Sequence, residues 1–233
     1  MRMVALAQAQ LQDVIRNPLL VLFAALLPAM GIMMRLVMPE SARPLLVVML
    51  SVMAPYFVGW NVAGITLAEE KEKRRLEALF LTPVRPWQVV MVKGALALAG
   101  TLVMGAVMLA VGGKVPVRPG IWFLAYLLLT LFAVGAGTLL GLLFKDMRSM
   151  SIGGTPVQIL LLFATTLPWA LAGPVLWEVQ AWLPTRPVVD LMQAGFFGEE
   201  VPVLRHALVM LGYVAAVWLA NVSLVRRLSF LVR

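Results

Sequence analysis

The residues best placed to do chemistry sit in one stretch, EEKEKRRLEALFLTPVRP, from Glu69 to Pro86. Glu69 with Lys73, Glu70 with Arg74, and Lys73 with Glu77 are opposite charges four apart, the spacing that supports a solvent-exposed helix. Leu76, Leu79 and Phe80 fall together on one side and give that helix an apolar face about one turn long. Thr82-Pro83 stops it, because the residue before a proline is pushed out of the helical region. A short amphipathic helix of this kind suits docking into a partner's groove.

Other chemistry is poorly supplied. The chain has no cysteine and one histidine, His206, which removes thiolate sites, disulfides and any paired-histidine metal motif. Ser51, Ser149, Ser151 and Ser223 are the candidate nucleophiles, and none stands in a G-x-S-x-G context. His206 reads as a helix-end residue at an interface. VGGKVP, Val111 to Pro116, lacks the first glycine and the hydroxyl residue of a phosphate loop and reads as a turn. No catalytic residue and no metal site is expected.

The elements that position the charged stretch follow from composition. A chain of 233 residues that is 62% hydrophobic and 13% charged, with a mean hydropathy of +0.94, carries more apolar surface than one soluble core can hide. Basic side chains between apolar runs mark the ends of membrane helices, so the net charge of +8 is not taken as a sign of nucleic-acid binding. With roughly 20 apolar residues needed per helical crossing, the expected fold is an all-α integral membrane protein, a single transmembrane domain with six spans. These run over 19–38, 45–68, 89–111, 121–144, 152–171 and 207–225.

Residues 1–17 place Met3, Leu6, Ala7, Gln10, Leu11, Val14 and Ile15 at nearly helical spacing and predict a helix lying in the membrane interface. A cleaved signal peptide is disfavoured, because the apolar run starts late and is followed by Pro39-Glu40. Lys93 lies one turn inside the third span, from where its long side chain is expected to snorkel to the headgroups. Between the fifth and sixth spans, the aromatic-rich segment around Trp177, Trp182, Phe196 and Phe197 predicts short helices in the outer leaflet. Of the 19 Lys and Arg residues, Arg35, Arg43, Lys114, Arg118, Arg186 and Arg205 fall opposite the N-terminus and the other thirteen on its side. That bias assigns both termini, and the charged stretch between spans 2 and 3, to the cytoplasm.

The span interiors hold polar but few ionisable residues, so nothing visible couples transport to protons. Gly137 and Gly141 on the fourth span form a G-x-x-x-G pair that permits close helix approach, within one subunit or between two.

EEKEKRRLEALFLTPVRPWQVVMVKG, Glu69 to Gly94, resembles the signature of the permease subunits of type-2 ATP-binding-cassette (ABC) exporters. In that signature a charged segment leads into Leu-Glu-x-Leu, then Thr-Pro-Val, then a Lys-Gly entering the third span. WLPTRPVVDLMQAGFFGE, Trp182 to Glu199, is similar to a second motif of the same family, and the likeness covers essentially the whole chain. One departure is that Arg74-Arg75 stand where Gly-Thr commonly precedes Leu-Glu.

The resemblance implies an ATP-driven exporter of the prokaryotic plasma membrane. Its coupling helix would run from Glu70 to Leu81 and contact a separate cytoplasmic ATPase subunit. Glu70 would belong to that coupling segment, Glu77 and Arg74 or Arg75 would be its polar contacts, and Leu76, Leu79 and Phe80 its packed face. ATP and Mg would reside in that partner, with no cofactor in this chain. A second copy or a related permease would complete the pathway, surrounded by membrane lipids. Tyr56, Asn61, Thr66, Gln158, Thr165 and Thr166 are the implied lining residues. The rival readings are a haem-export-type permease of cytochrome assembly, a non-transporting membrane scaffold and a membrane enzyme.

Overall fold

Proline and capping residues set where the helices begin. Asn17 caps the helix that starts at Pro18, its Oδ1 accepting from the amides of Leu19 at 3.1 Å and Leu20 at 3.4 Å, which satisfies two of the orphan donors of a helix start. Pro44 and Pro119 likewise stand in first turns, where a missing amide hydrogen costs nothing. The computed structural model describes residues 2–73, 86–166 and 183–231.

The described helices, in chain order, are α1 (Arg2–Arg16), α2 (Pro18–Val37), α3 (Arg43–Ala54), α4 (Asn61–Glu72), α5 (Pro86–Gly112), α6 (Pro119–Leu143), α7 (Met147–Thr166), α8 (Thr185–Phe197) and α9 (Val203–Leu231). Among the described residues there is no strand. A six-residue π-helical turn, Pro55–Trp60, joins α3 to α4 without a break, so Glu40–Glu72 forms one 33-residue apolar helix. Among the described residues, five helices are long and apolar enough to cross a membrane: Pro18–Val37, Glu40–Glu72, Trp87–Gly112, Pro119–Leu143 and Val203–Arg227. They correspond to the first, second, third, fourth and sixth expected spans. The fifth expected span is described as far as Thr166, and α7 is not among the five.

The second span and α6 form the centre of the bundle. A methyl group on Gly137 would lie 2.3 Å from the Trp60 carbonyl oxygen, and one on Gly141 would lie 2.6 Å from that of Gly64. Only glycine permits backbones this close. The G-x-x-x-G pair therefore packs within the chain. α9 grips the opposite side of α6: Trp218 Nε1 donates to Leu131 O at 3.1 Å and Asn221 Nδ2 to Gly135 O at 2.8 Å.

The 13-residue α8 is about 20 Å long and too short to span a bilayer. It packs on the start of α6, where Phe196 meets Trp122 edge-on and the Arg118 amide donates to Gly195 O at 2.8 Å. Gly198, at φ 77°, ends the helix in the left-handed conformation that glycine tolerates. The expected short helices between spans 5 and 6 are thus described for residues 185–197. Residues 172–182 of that connection lie outside the described residues.

Candidate functional site

Four consecutive charged residues end the second span, and each engages a different part of the bundle. Successive helical residues are about 100° apart, so four in a row cover the circumference. Glu69 Oε2 accepts from Asn17 Nδ2 at 3.1 Å, holding the corner between α1 and α2. Lys71 Nζ donates to Leu142 O and Phe144 O at the end of α6, supplying positive charge where a helix C-terminus has free carbonyls. Glu72 Oε2 accepts from the Met147 amide at 3.2 Å, placing negative charge at the start of α7. A small apolar cluster of Leu67, Val90, Leu142 and Val225 backs this arrangement.

Glu70 is the buried member. Its carboxylate lies 3.1 Å from Lys93 Nζ, with side-chain exposures of 9% and 4%. Gln10 of α1 bridges the pair: its Nε2 donates to Glu70 Oε1 at 2.8 Å, and its Oε1 accepts from Lys93 Nζ at 2.7 Å. Lys93 also reaches Thr66 O at 3.5 Å. The second oxygen, Glu70 Oε2, is buried with no hydrogen-bond partner among the described residues. A cavity of about 580 Å³ opens beside it, lined by Asp13, Arg16, Asn17, Thr66, Glu70 and Lys93 among others.

Two expectations are corrected here. Lys93 does not snorkel, because Glu70 and Gln10 compensate its charge inside the protein. Glu70 does not face outward, because its carboxylate is held by α1 and α5. The Glu69–Lys73 pair does form, at the surface. Arg74, Arg75, Leu76, Glu77, Leu79 and Phe80 lie outside the described residues.

The expected lining residues cluster at the π-helical turn. A π turn shifts the backbone register and frees carbonyls that a membrane interior cannot hydrate. Asn61 Nδ2 donates to Phe57 O at 3.0 Å and to Tyr56 O at 3.4 Å, and Gln158 Nε2 reaches across from α7 to Tyr56 O at 2.6 Å. Asn61 and Gln158 also line a cleft of about 240 Å³ with Phe23, Phe57, Trp60 and Met150. Tyr56 is fully buried, its hydroxyl beside Thr165 without a hydrogen bond of normal geometry. Thr66 and Thr165 donate to the carbonyls four residues back, Val62 and Leu161, at 2.6 Å. The side chain of Thr166 lies outside the described residues.

At the other end of the bundle, Asp190 Oδ2 of α8 stands 3.6 Å from His206 Nε2 and 3.9 Å from Arg186 Nε. Burial raises the Asp190 carboxyl above the ordinary carboxylate range, against the opposing charges of His206 and Arg186. At the start of α7, Ser149 holds Asp146 below that range: its amide donates to Asp146 Oδ1 at 2.7 Å. The two form a reciprocal cap, since the Asp146 amide donates to Ser149 Oγ at 3.3 Å.

Gln10 and Lys93 were missed as site residues. The signal for Lys93 was a cation one turn inside an apolar span that follows a span ending in acids. Gln10 gave a fainter one, as the polar member of an otherwise apolar stripe. A family model described as ABC-2 family transporter protein matches residues 37–222. No curated protein matches the chain.

Proposed function

The chain belongs to the ABC-2 transporter family, which makes it a permease-type membrane chain of a type-2 ABC transporter, and we propose that it drives export as a dimer coupled to a separate ATPase subunit. Residues 74–85 carry the docking surface. Leu76, Leu79 and Phe80 form its packed face, and Arg74, Arg75 and Glu77 its polar contacts. ATP and Mg bind in the partner. Both termini and the docking segment face the cytoplasm, in keeping with the excess of Lys and Arg on that side.

The observation that carries this reading is the anchored base of the segment. Glu70 precedes it and Lys93 follows it, and the two form one buried ion pair at 3.1 Å. A surface loop with no mechanical task has no need of a base held by α1, α2, α5, α6 and α7 together. A push on a segment anchored this way is passed to the membrane helices rather than absorbed locally. The substrate path runs along the cleft beside the π turn, where Asn61 and Gln158 sit with Phe57 and Trp60. Tyr56, Thr66, Thr165 and Thr166 line its continuation. The expected fifth span, 152–171, makes the sixth crossing.

Co-expression with the ATPase subunit tests the coupling. The wild-type chain is expected to copurify with the ATPase and to stimulate its hydrolysis in lipid vesicles. Leu79→Asp and Glu77→Ala are expected to abolish or sharply reduce both. Unchanged association and stimulation in both variants would show that the docking surface lies elsewhere.

A further inference from the structure

From the contacts of Gln10 and Lys93 we propose that these two residues are positioning residues for coupling. They make the interfacial helix α1 and the base of the docking segment into one rigid body. Motion imposed on residues 74–85 then reaches the first span through α1 as well as travelling up the second. The inference rests on the ATPase-coupled reading above and adds a route for the force.

The geometry is specific. Lys93 Nζ has three acceptors, Gln10 Oε1 at 2.7 Å, Glu70 Oε1 at 3.1 Å and Thr66 O at 3.5 Å. All three of its donor directions are thus committed inside the protein. Gln10 uses both ends of its amide, one on each member of the ion pair. An amide that donates to a carboxylate and accepts from an ammonium fits in one orientation only, so it fixes the rotation of α1 about its own axis. Hydrophobic packing alone would not do so, because Leu11 and Ile15 of α1 are exposed to the surroundings.

A neighbouring bond gives the same α1–α2 corner a second hold. Asn17 donates to Glu69 while its Oδ1 caps α2, so consecutive residues of the second span hold α1 at Gln10 and the α1–α2 turn at Asn17. A buried ion pair is a costly way to gain stability, and its better attested use is to select one arrangement over others. Here the arrangement selected is the angle between the interfacial helix and the loop base.

The test uses the full chain in lipid nanodiscs. It has no cysteine, so spin labels can be placed at Gln12→Cys on α1 and Lys73→Cys at the loop base. With Gln10 and Lys93 intact, the label-to-label distance is expected to be a single narrow distribution. Gln10→Leu and Lys93→Met are each expected to broaden it.

In the complex with its ATPase, Gln10→Leu is expected to leave association and the KM for ATP unchanged. It should lower permease-stimulated hydrolysis at least about tenfold, since the variant loses two hydrogen bonds to charged groups, one to Glu70 and one from Lys93. Distance distributions unchanged in both variants would overturn the proposal. If the wild-type chain and the ATPase fail to associate, the coupling reading falls, while the distance measurement still decides whether α1 is locked. Should Lys93→Met fail to fold, Gln10→Leu, which leaves the ion pair in place, carries the test.

Discussion

Polar side chains do different work at the two places where they concentrate. At the π turn in the middle of the second span, Asn61 and Gln158 are spent on backbone carbonyls that the irregular helix leaves open. At the end of the same span, Glu69, Glu70, Lys71 and Glu72 are spent on other elements: a side chain, an ion pair, a helix C-terminus and a helix N-terminus. The first arrangement keeps one helix intact inside a bilayer, whereas the second ties five helices to the point where a chain segment leaves the membrane. An amide suffices for the first task. The second uses full charges because helix ends and a buried counter-ion reward them.

Breaking the charged corner should cost most. Lys93→Met leaves the Glu70 carboxylate buried without its counter-ion and is expected to lower stability by about 3–5 kcal/mol, read from thermal unfolding in detergent. The double variant Glu70→Leu with Lys93→Met should recover most of that loss, since replacing a whole buried pair by apolar groups is often neutral. A double variant no better than the single one would mean that packing, not charge, holds the corner.

The π turn offers a milder test. Gln158→Leu leaves Tyr56 O with the weaker bond from Asn61 and is expected to cost about 1–3 kcal/mol, the penalty for an under-satisfied buried polar group. If Gln158→Leu destabilises as much as Lys93→Met, the distinction between the two regions fails.

The smallest effects are titrations outside the spans, and they have opposite signs. Asp146 is held below its ordinary value of 3.8 by Ser149, so its contribution is present above that value and is lost as pH falls through the lower folded value. Asp190 is raised above 3.8 by burial. Its folded form binds the proton first, so stability falls as pH rises from 3.8 through the folded value. Asp190→Asn should remove that second dependence from the pH profile of the unfolding temperature, and Asp146→Asn the first. A profile that neither variant changes would contradict both assignments.

Much of the fold was legible because apolar run length is a strong signal. The spans over Leu19, Leu45, Val89, Ile121 and Ala207 required only counting, and α8 followed from its prolines and aromatics. The charged corner was legible only in part. Periodicity placed Glu69 through Lys73 on a helix, and the Glu69–Lys73 pair formed as spaced. Yet the same spacing paired Glu70 with Arg74, whereas the structure turns Glu70 inward to Lys93. Local spacing describes what residues on one helix can do for each other. It carries no information about a lysine 23 positions further along the chain, or about a glutamine on a helix 60 positions earlier. The π turn was invisible for a related reason, since Pro55-Tyr56-Phe57-Val58-Gly59-Trp60 reads as ordinary span sequence. Asn61 and Gln158 could be picked out only as polar residues among apolar ones.

On the function proposed above, residues 74–85 dock a separate ATPase on this permease. The most direct measurement is cysteine cross-linking in the assembled complex, since every introduced thiol is unique in this chain. Leu76→Cys, Leu79→Cys and Phe80→Cys are expected to cross-link to the ATPase subunit, while Leu160→Cys, exposed on α7, does not. Cross-links absent at all three docking positions in a complex that hydrolyses ATP would contradict the account.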